Sequence, residues 1–596
     1  MVLAPTRIIS FLAGMSLGGW ILQPAQANDA PALQASITKA YQAGEKKITI
    51  PPGTYRLETP EGTKACLLFS KWKDFEIDAT GAEFIGIDRK STIFFFDRCE
   101  NVTLRGAQIR HDPVPFSQGR IVAIAPDRKS LDIRVADGYP RDLDDKRYFA
   151  DEGLILANVF DGTTRLWRRD VADIYGTEFV RLGPSLFRLK TKTPLPDVKL
   201  MGELIAWRGN GTADIRIYRC SRMQMLDLSI RSGIGFCIHE NEGEGGNYYR
   251  YAVTRGPTPE GATEAPLFAS NADAFHSSNV RKGPTLEDCL FEFTDDDGIP
   301  IHGAYALVAD AKPLVIAALS RDFCRAGDTL RVYDKAGTFQ GSAKVESFSL
   351  AEKNFKPQLG YSEGAHAFQN ASKITFAEIR TSEPLTLKEG WRMANIDALG
   401  SGFVIRRCTI RHVRARGILI KANDGLIEDS LIEGATMAGI ALWPEMGHWD
   451  ESDFSHNITI RNNTLRDVAL WGTRGNGMAG ALTIGAREGG HFVASRDGHR
   501  DIVIEGNRFE RNDGVNILLS TTQGVQIRNN TFLQPMQQAS SRGASTGIDP
   551  GSLIWITESR QVELKNNILS QPGSFQESRI TTTPSCADIA QGEAFP

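Results

Sequence analysis

Cysteine is scarce and scattered in this chain of 596 residues. The eight thiols (Cys66, Cys99, Cys220, Cys237, Cys289, Cys324, Cys408, Cys586) include no CxxC pair. That spacing excludes a structural zinc site and a dense disulfide framework. It leaves most thiols as buried small hydrophobes, with one or two bridges expected. Charge of one sign is also lacking: 68 Lys and Arg against 72 Asp and Glu give a net charge of -4. There is no basic footprint for nucleic acid and no acidic tail. Past residue 22 no apolar run approaches the ~20 residues that a bilayer span needs. The apolar stretch 8–22 follows Arg7 and precedes Ala25-Gln26-Ala27. This is the pattern of a secretory signal cleaved before Asn28, so the chain is expected to be secreted or periplasmic.

Glycine, by contrast, is plentiful, with 57 Gly and 27 Pro, which favours short strands joined by tight turns. The C-terminal half repeats itself. Ile405 and Ile427, Ile410 and Ile432, and Ile418 and Ile440 are each 22 apart; Ile504 and Ile527, and Phe509 and Phe532, are 23 apart. Each repeat holds two or three short alternating apolar runs. Strands at this period build a parallel β-helix, whose coils stack ~4.8 Å apart over shared aliphatic columns. Asn463, Asn507, Asn530 and Asn567 recur three positions after an apolar residue, the signature of an inward asparagine ladder at a turn.

The fold class is therefore all-β, a right-handed parallel β-helix with an N-terminal capping helix and two inserted β-barrel or sandwich domains. Residues 32–43 have helical composition and would cover the first coil, whose open strand edge needs protection. The period breaks twice, and hairpin signals appear at 121–135 and at 327–346. The divisions read as 1–27 signal peptide, 28–112 cap and first coils, 113–210 inserted barrel, 211–303 central coils, 304–397 second barrel, 398–572 C-terminal coils and 573–596 tail.

The chemistry gathers in one place. Asn271-Ala272-Asp273-Ala274-Phe275-His276 is followed by Asp295-Asp296-Asp297-Gly298, then Ile301-His302-Gly303. Asp273 lies 23 residues before Asp296 and 24 before Asp297, about one coil, so three carboxylates are expected on neighbouring turns. Paired acid and base carboxylates ~6.5–9.5 Å apart are what an inverting glycosidase uses, with a water between them. Like charges this close also force one pKa upward. No metal and no cofactor is called for; a calcium ion on the clustered Asp is the rival reading. The Gly-rich acidic segment 240–247 lacks the Gly-Lys-Ser/Thr end of a phosphate cradle.

These residues bring out a resemblance. The N-x-D motif, a coil, then D-D resembles the active-site layout of β-helix glycosidases such as polygalacturonases. With Arg414-Ala415-Arg416-Gly417, Trp449-Asp450-Glu451-Ser452 and Ile458-Thr459-Ile460-Arg461-Asn462-Asn463, the chain is similar to glycoside hydrolase family 110, the inverting α-1,3-galactosidases, whose β-helix also carries two barrels. The resemblance implies removal of terminal α-1,3-linked galactose from an oligosaccharide or polysaccharide. It implies Asp296 as general acid and Asp273 and Asp297 as holders of the water. His276, His302, Arg416, Trp449 and Glu451 would bind substrate. Asp295 and Pro300 depart from the family pattern. Two other functions stay open: a polysaccharide lyase with Ca²⁺ and a base such as Lys421, and a glycan-binding β-helix without turnover.

Overall fold

The computed structural model describes residues 28–149, 155–351, 368, 374–447, 449–471, 478–494 and 498–595. The signal-peptide reading falls on residues 1–27 and lies outside them. No helix among the described residues is long and apolar enough to cross a membrane.

The chain winds into a right-handed parallel β-helix. One coil carries three strands, for example Val404–Arg406, Thr409–Arg411 and Ile418–Lys421, and the next repeats them as Gly425–Glu428, Leu431–Glu433 and Ile440–Leu442. The repeat read from sequence is the strand register itself: Ile405 faces Ile427, Ile410 faces Ile432 and Ile418 faces Ile440. Farther on, Ile504 faces Ile527 and Phe509 faces Phe532, whose rings stack at 4.9 Å. These side chains are buried in one continuous column that runs from the cap to the last coil.

Two polar devices hold the register. Inside the turn, the Asn463 side-chain amide donates to Asn507 (3.1 Å), Asn507 to Asn530 (3.1 Å) and Asn530 to Asn567 (3.0 Å). Each Nδ2 also donates to a backbone carbonyl of a neighbouring coil, so no amide is left unsatisfied. Outside, Glu287, Arg406, Glu428, Arg461, Glu505 and Arg528 follow one another across the sheet with alternating sign. A slip of one residue would turn every one of these side chains to the other face. Asn507→Ala would remove the amide donor to the Ile460 carbonyl and the shared acceptor of the Asn463 backbone and side-chain N–H groups, while the Asn530 oxygen keeps the backbone N–H of residue 507. A loss of about 3 kcal/mol is expected, to be read from urea unfolding at fixed pH.

The cap is the helix Ala30–Gln42, which buries Leu33 and Ile37 against the first strands, Lys47–Thr49 and Gly53–Leu57. The first insertion is a closed antiparallel barrel of Ser117–Ile124, Ser130–Val135, Ile155–Phe160, Ile174–Arg181, Leu186–Thr191 and Leu204–Trp207. Numbered along the chain, its strands pair in the ring order 1-2-5-4-3-6. The second insertion uses Ile299–Ala311, Leu314–Ala318, Thr329–Tyr333, Phe339–Leu350, Thr375–Thr381 and Arg392–Asn395 in the same ring order. Its first strand begins in the β-helix, where Ile299–His302 pair in parallel with Ile418–Lys421. The barrel therefore grows directly out of a β-helix strand.

Two expectations need correction. All eight cysteines are free thiols; in this fold a thiol fills an inward turn position as Ser430 and Asn463 do on later coils, with Cys408 Sγ beside the Arg406 carbonyl (3.4 Å). The stretch read as a tail continues the solenoid, since Ser578–Thr582 and Ala587–Glu593 pair in parallel with the coil before them. The acidic segment 240–247 is structural. Glu240 is buried and accepts from Asn247, Tyr249 and Ser277, while Glu242 and Glu244 reach Ser320 and Arg325 of the second barrel.

Candidate active site

Two consecutive coils present the three carboxylates. The strands Phe275–Ser278 and Ile299–Ala311 are parallel neighbours with Ser277 opposite Ile301, a 24-residue offset. The residues entering each strand therefore stack, and the backbone N–H of Asp297 donates to Asp273 Oδ1 (3.0 Å). Gly298 is required where the next coil comes close: a Cβ there would lie 2.4 Å from the Gly417 carbonyl oxygen. That closeness brings Arg416 in, and its N–H donates to Asp297 Oδ1 (2.7 Å).

One oxygen from each of Asp273, Asp296 and Asp297 lies within 4.8 Å of the others. This is tighter than the ~6.5–9.5 Å expected from an acid–base pair spanning a water. The three differ in surroundings. Asp273 and Asp297 are buried, whereas Asp296 keeps a quarter of its side chain exposed. Asp296 is held between two guanidiniums, Arg208 on Oδ2 and Arg414 on Oδ1, both at 3.1 Å. Asp297 Oδ2 faces Arg416 (3.0 Å), which also reaches Glu445 (3.5 Å). Asp273 Oδ2 meets the His276 ring at Nδ1 (2.7 Å).

Burial pushes the Asp273 carboxyl well above its ordinary range, and the charge of Asp296 adds to this. Burial raises Asp297 likewise, with Arg416 pulling against it. Burial lowers His276 and His302 to about 4 each, so both rings are neutral at pH 7. Burial works against the Glu451 carboxylate, but the Lys421 ammonium bound to it helps to hold its pKa low. The same three carboxylates are the grouping with reach for one cation among the described residues. Three guanidiniums already balance them, however, so the donor set suits proton transfer rather than a metal.

Asp273, Asp296, Asp297, His276, His302, Arg416 and Glu451 come together through direct contacts, and Asp295 is buried in the same turn with no hydrogen bond to either carboxyl oxygen. His276 and His302 were expected to touch sugar. In the structure His276 contacts Asp273, and the two rings meet with Nε2 facing Nε2 at 3.0 Å. Glu451, also expected to accept from a sugar, pairs with the fully buried Lys421 and faces His302 at 3.5 Å. Trp449, on the same loop, is 44% exposed.

Sequence reasoning missed the contribution of the first barrel. Arg208 directly follows its last strand. Asp173 binds Arg414 through both oxygens (2.9 and 2.7 Å), and the exposed ring of Tyr175 reaches Asp173 (3.3 Å). Burial works against the Asp173 carboxylate, but Arg414 and Asn158 outweigh it and hold its pKa low. A wall of the site thus comes from residues more than 80 positions before Asp296, for which no spacing rule exists.

A sequence model of the right-handed β-helix region matches residues 394–576. An α-1,3-galactosidase B of Akkermansia muciniphila is 22% identical over 84% of this chain and 64% of its own length. The chain thus spans less than two thirds of that relative. An α-1,3-galactosidase A of Shewanella woodyi is 22% identical over 89% of this chain and 87% of its own. The chain is thus similar over most of its length to curated α-1,3-galactosidases, and part of it matches the β-helix region. Among solved structures, the catalytic domain of a family 87 α-1,3-glucanase bound to nigerose covers 99% of this chain and 70% of its own, at 9% identity and a TM-score of 0.42. The similarity to these galactosidases extends over 84–89% of the chain.

Proposed function

We propose that the chain is a secreted or periplasmic glycoside hydrolase that removes a terminal α-1,3-linked galactose from a glycan with inversion. The observation that carries this reading is the trio Asp273, Asp296 and Asp297, two of them buried with raised pKa values and all three faced by guanidinium or imidazole. Burying like charges together is costly, and such a cluster in a cleft marks acid–base chemistry rather than passive binding. The curated relatives carry the name α-1,3-galactosidase, which supplies the sugar and the linkage.

The partly exposed Asp296 protonates the leaving oxygen, drawing its proton from solvent once substrate hydroxyls engage Arg208 and Arg414. The buried pair Asp273 and Asp297 grips the water and deprotonates it. The closest oxygens would by distance suit the ~5–5.5 Å of a retaining pair. Inversion is favoured because Asp273 and Asp297 sit side by side on adjacent loops, each already hydrogen-bonded, which suits holding one water between them. A lyase reading has little support, since Lys421 is fully buried and paired with Glu451.

The test is incubation with aryl and disaccharide α-galactosides, following the released anomer by proton NMR. β-Galactose as first product is expected, and α-galactose would overturn inversion. Asp296→Asn should abolish hydrolysis of the disaccharide yet spare much of that of a dinitrophenyl galactoside, whose leaving group needs no proton. If Asp273→Asn shows that sparing instead, the acid is Asp273. No release from any galactoside would refute the substrate.

A further inference from the structure

We propose that Asp273, His276 and His302 form a proton relay that takes the proton of the attacking water out of the carboxylate trio and holds it on His302, opposite Glu451. The proposal deepens the acid–base reading above and rests on it.

The direction of every hydrogen bond in the relay follows from one carbonyl and from the neutrality of the two rings. His302 Nδ1 lies 2.7 Å from the Gly303 oxygen, which can only accept, so Nδ1 carries a hydrogen. In a neutral ring the other nitrogen is then bare. His302 Nε2 must therefore accept across its 3.0 Å contact, and His276 Nε2 donates. His276 Nδ1 is bare in turn, so the proton in its 2.7 Å contact belongs to Asp273 Oδ2. Both rings are neutral because burial depresses their pKa values. The resting state is thus a protonated Asp273 aimed at His276, in agreement with the raised pKa of that carboxyl.

A carboxyl in this state can still act as a base, by passing its own proton on as it accepts another. The water O–H breaks and its proton binds Asp273 Oδ1, while its electron pair goes to the anomeric carbon. The Oδ2 proton moves to His276 Nδ1, and the His276 Nε2 proton moves to His302 Nε2. Asp273 and His276 end as neutral as they began, and His302 becomes an imidazolium with its Nδ1–H still on Gly303. The new cation lies 3.5 Å from the Glu451 carboxylate. Lys421 on the far oxygen keeps Glu451 from taking the proton outright. His239, the neighbouring ring on the preceding coil, stands edge-on to His276 at 5.1 Å and is held neutral by burial, so it adds no charge. Phe236 stacks on His276 at 4.3 Å and screens that ring from water. Arg416 and Asp296 are the remaining charged groups that act on Asp273 and His276.

Two measurements test this. In resting protein labelled with ¹⁵N-histidine, NMR should find His302 protonated only at Nδ1 and His276 only at Nε2. A hydrogen on His276 Nδ1 or on His302 Nε2 would overturn the relay, and this reading needs no substrate. In mixtures of H₂O and D₂O, kcat on an aryl galactoside should follow a curved, multi-proton dependence. His302→Gln should lower kcat by about 10²-fold with KM little changed, and leave a linear, one-proton dependence. A curve unchanged in His302→Gln, or a linear one in the parent, would overturn the relay while leaving the hydrolase reading intact. Should His302→Gln fail to fold, the tautomers and the parent's curve still decide. Correct tautomers in a protein that hydrolyses no glycoside would refute the hydrolase reading and, with it, the relay's role.

Discussion

Asp297→Asn is expected to lower kcat on an α-galactoside by roughly 10²- to 10⁴-fold, while Asp295→Asn, two positions away, leaves turnover close to that of the parent. The two side chains are both buried acids in one turn, and burial raises the pKa of both. They differ in what their oxygens meet. Asp297 accepts from the Arg416 N–H and faces its guanidinium, and one of its oxygens lies within 4.8 Å of Asp273 and Asp296. An amide there keeps the shape and the bond to Arg416 N–H but presents a donor where a carboxylate oxygen would help hold the water whose proton Asp273 takes. Asp295 makes no hydrogen bond through either oxygen and stands outside the trio, so an amide there removes no contact that the chemistry uses. Steady-state kinetics of both variants, with melting curves alongside, separates chemistry from folding. Glu445 still faces Arg416 in the Asp297 variant, so its melting temperature should move little. Equal kinetic losses in the two variants would assign the effect to the turn, and an undiminished Asp297→Asn would remove that carboxylate from the chemistry.

The sequence announced whatever repeats along the chain. A solenoid places residues one coil apart in contact, so Ile405 against Ile427, Asn507 against Asn530 and Asp273 against Asp297 could all be read as spacings. The barrels were legible only as breaks in that period with hairpins inside them. What they bring to the site was not, because Asp173 and Arg208 reach Arg414 and Asp296 through a docking that no periodicity encodes. The partners of His276, His302 and Glu451 were not legible for a different reason. Their residue types suit sugar binding, but whether a polar group faces a cleft or a second buried partner depends on the ring orientations that Gly303 and Lys421 impose. Lys421 itself sits inside an aliphatic strand, where an apolar residue is the ordinary reading, and its burial is explained only by Glu451.

The stability gap between the parent and His499→Gln should close by about 3 kcal/mol between pH 6.5 and pH 4. His499 is fully buried in the C-terminal coils; its Nδ1 accepts from the Ser455 N–H (2.9 Å) and its Nε2 donates to the Gly485 oxygen (3.1 Å). Burial drops its pKa from 6.5 to about 4, only partly offset by the bond to the Gly485 oxygen. Between those values the unfolded chain binds a proton that the folded chain refuses, so this group's contribution is complete above pH 6.5. It is lost as pH falls through 4. A glutamine amide offers an acceptor and a donor at similar separation but takes up no proton, so the variant escapes that loss. The comparison must be a difference between two proteins. Asp273, Asp295 and Asp297 have folded-state pKa values raised by burial, so their contributions run the other way, present at low pH and lost as pH rises. In the parent's own pH curve these acids mask the histidines, whereas subtraction cancels everything but residue 499. Urea unfolding of both proteins at pH 7 and pH 4.5 measures the gap. A gap that stays constant would mean that His499 is protonated in the folded state, and the Ser455 N–H would then have lost its acceptor.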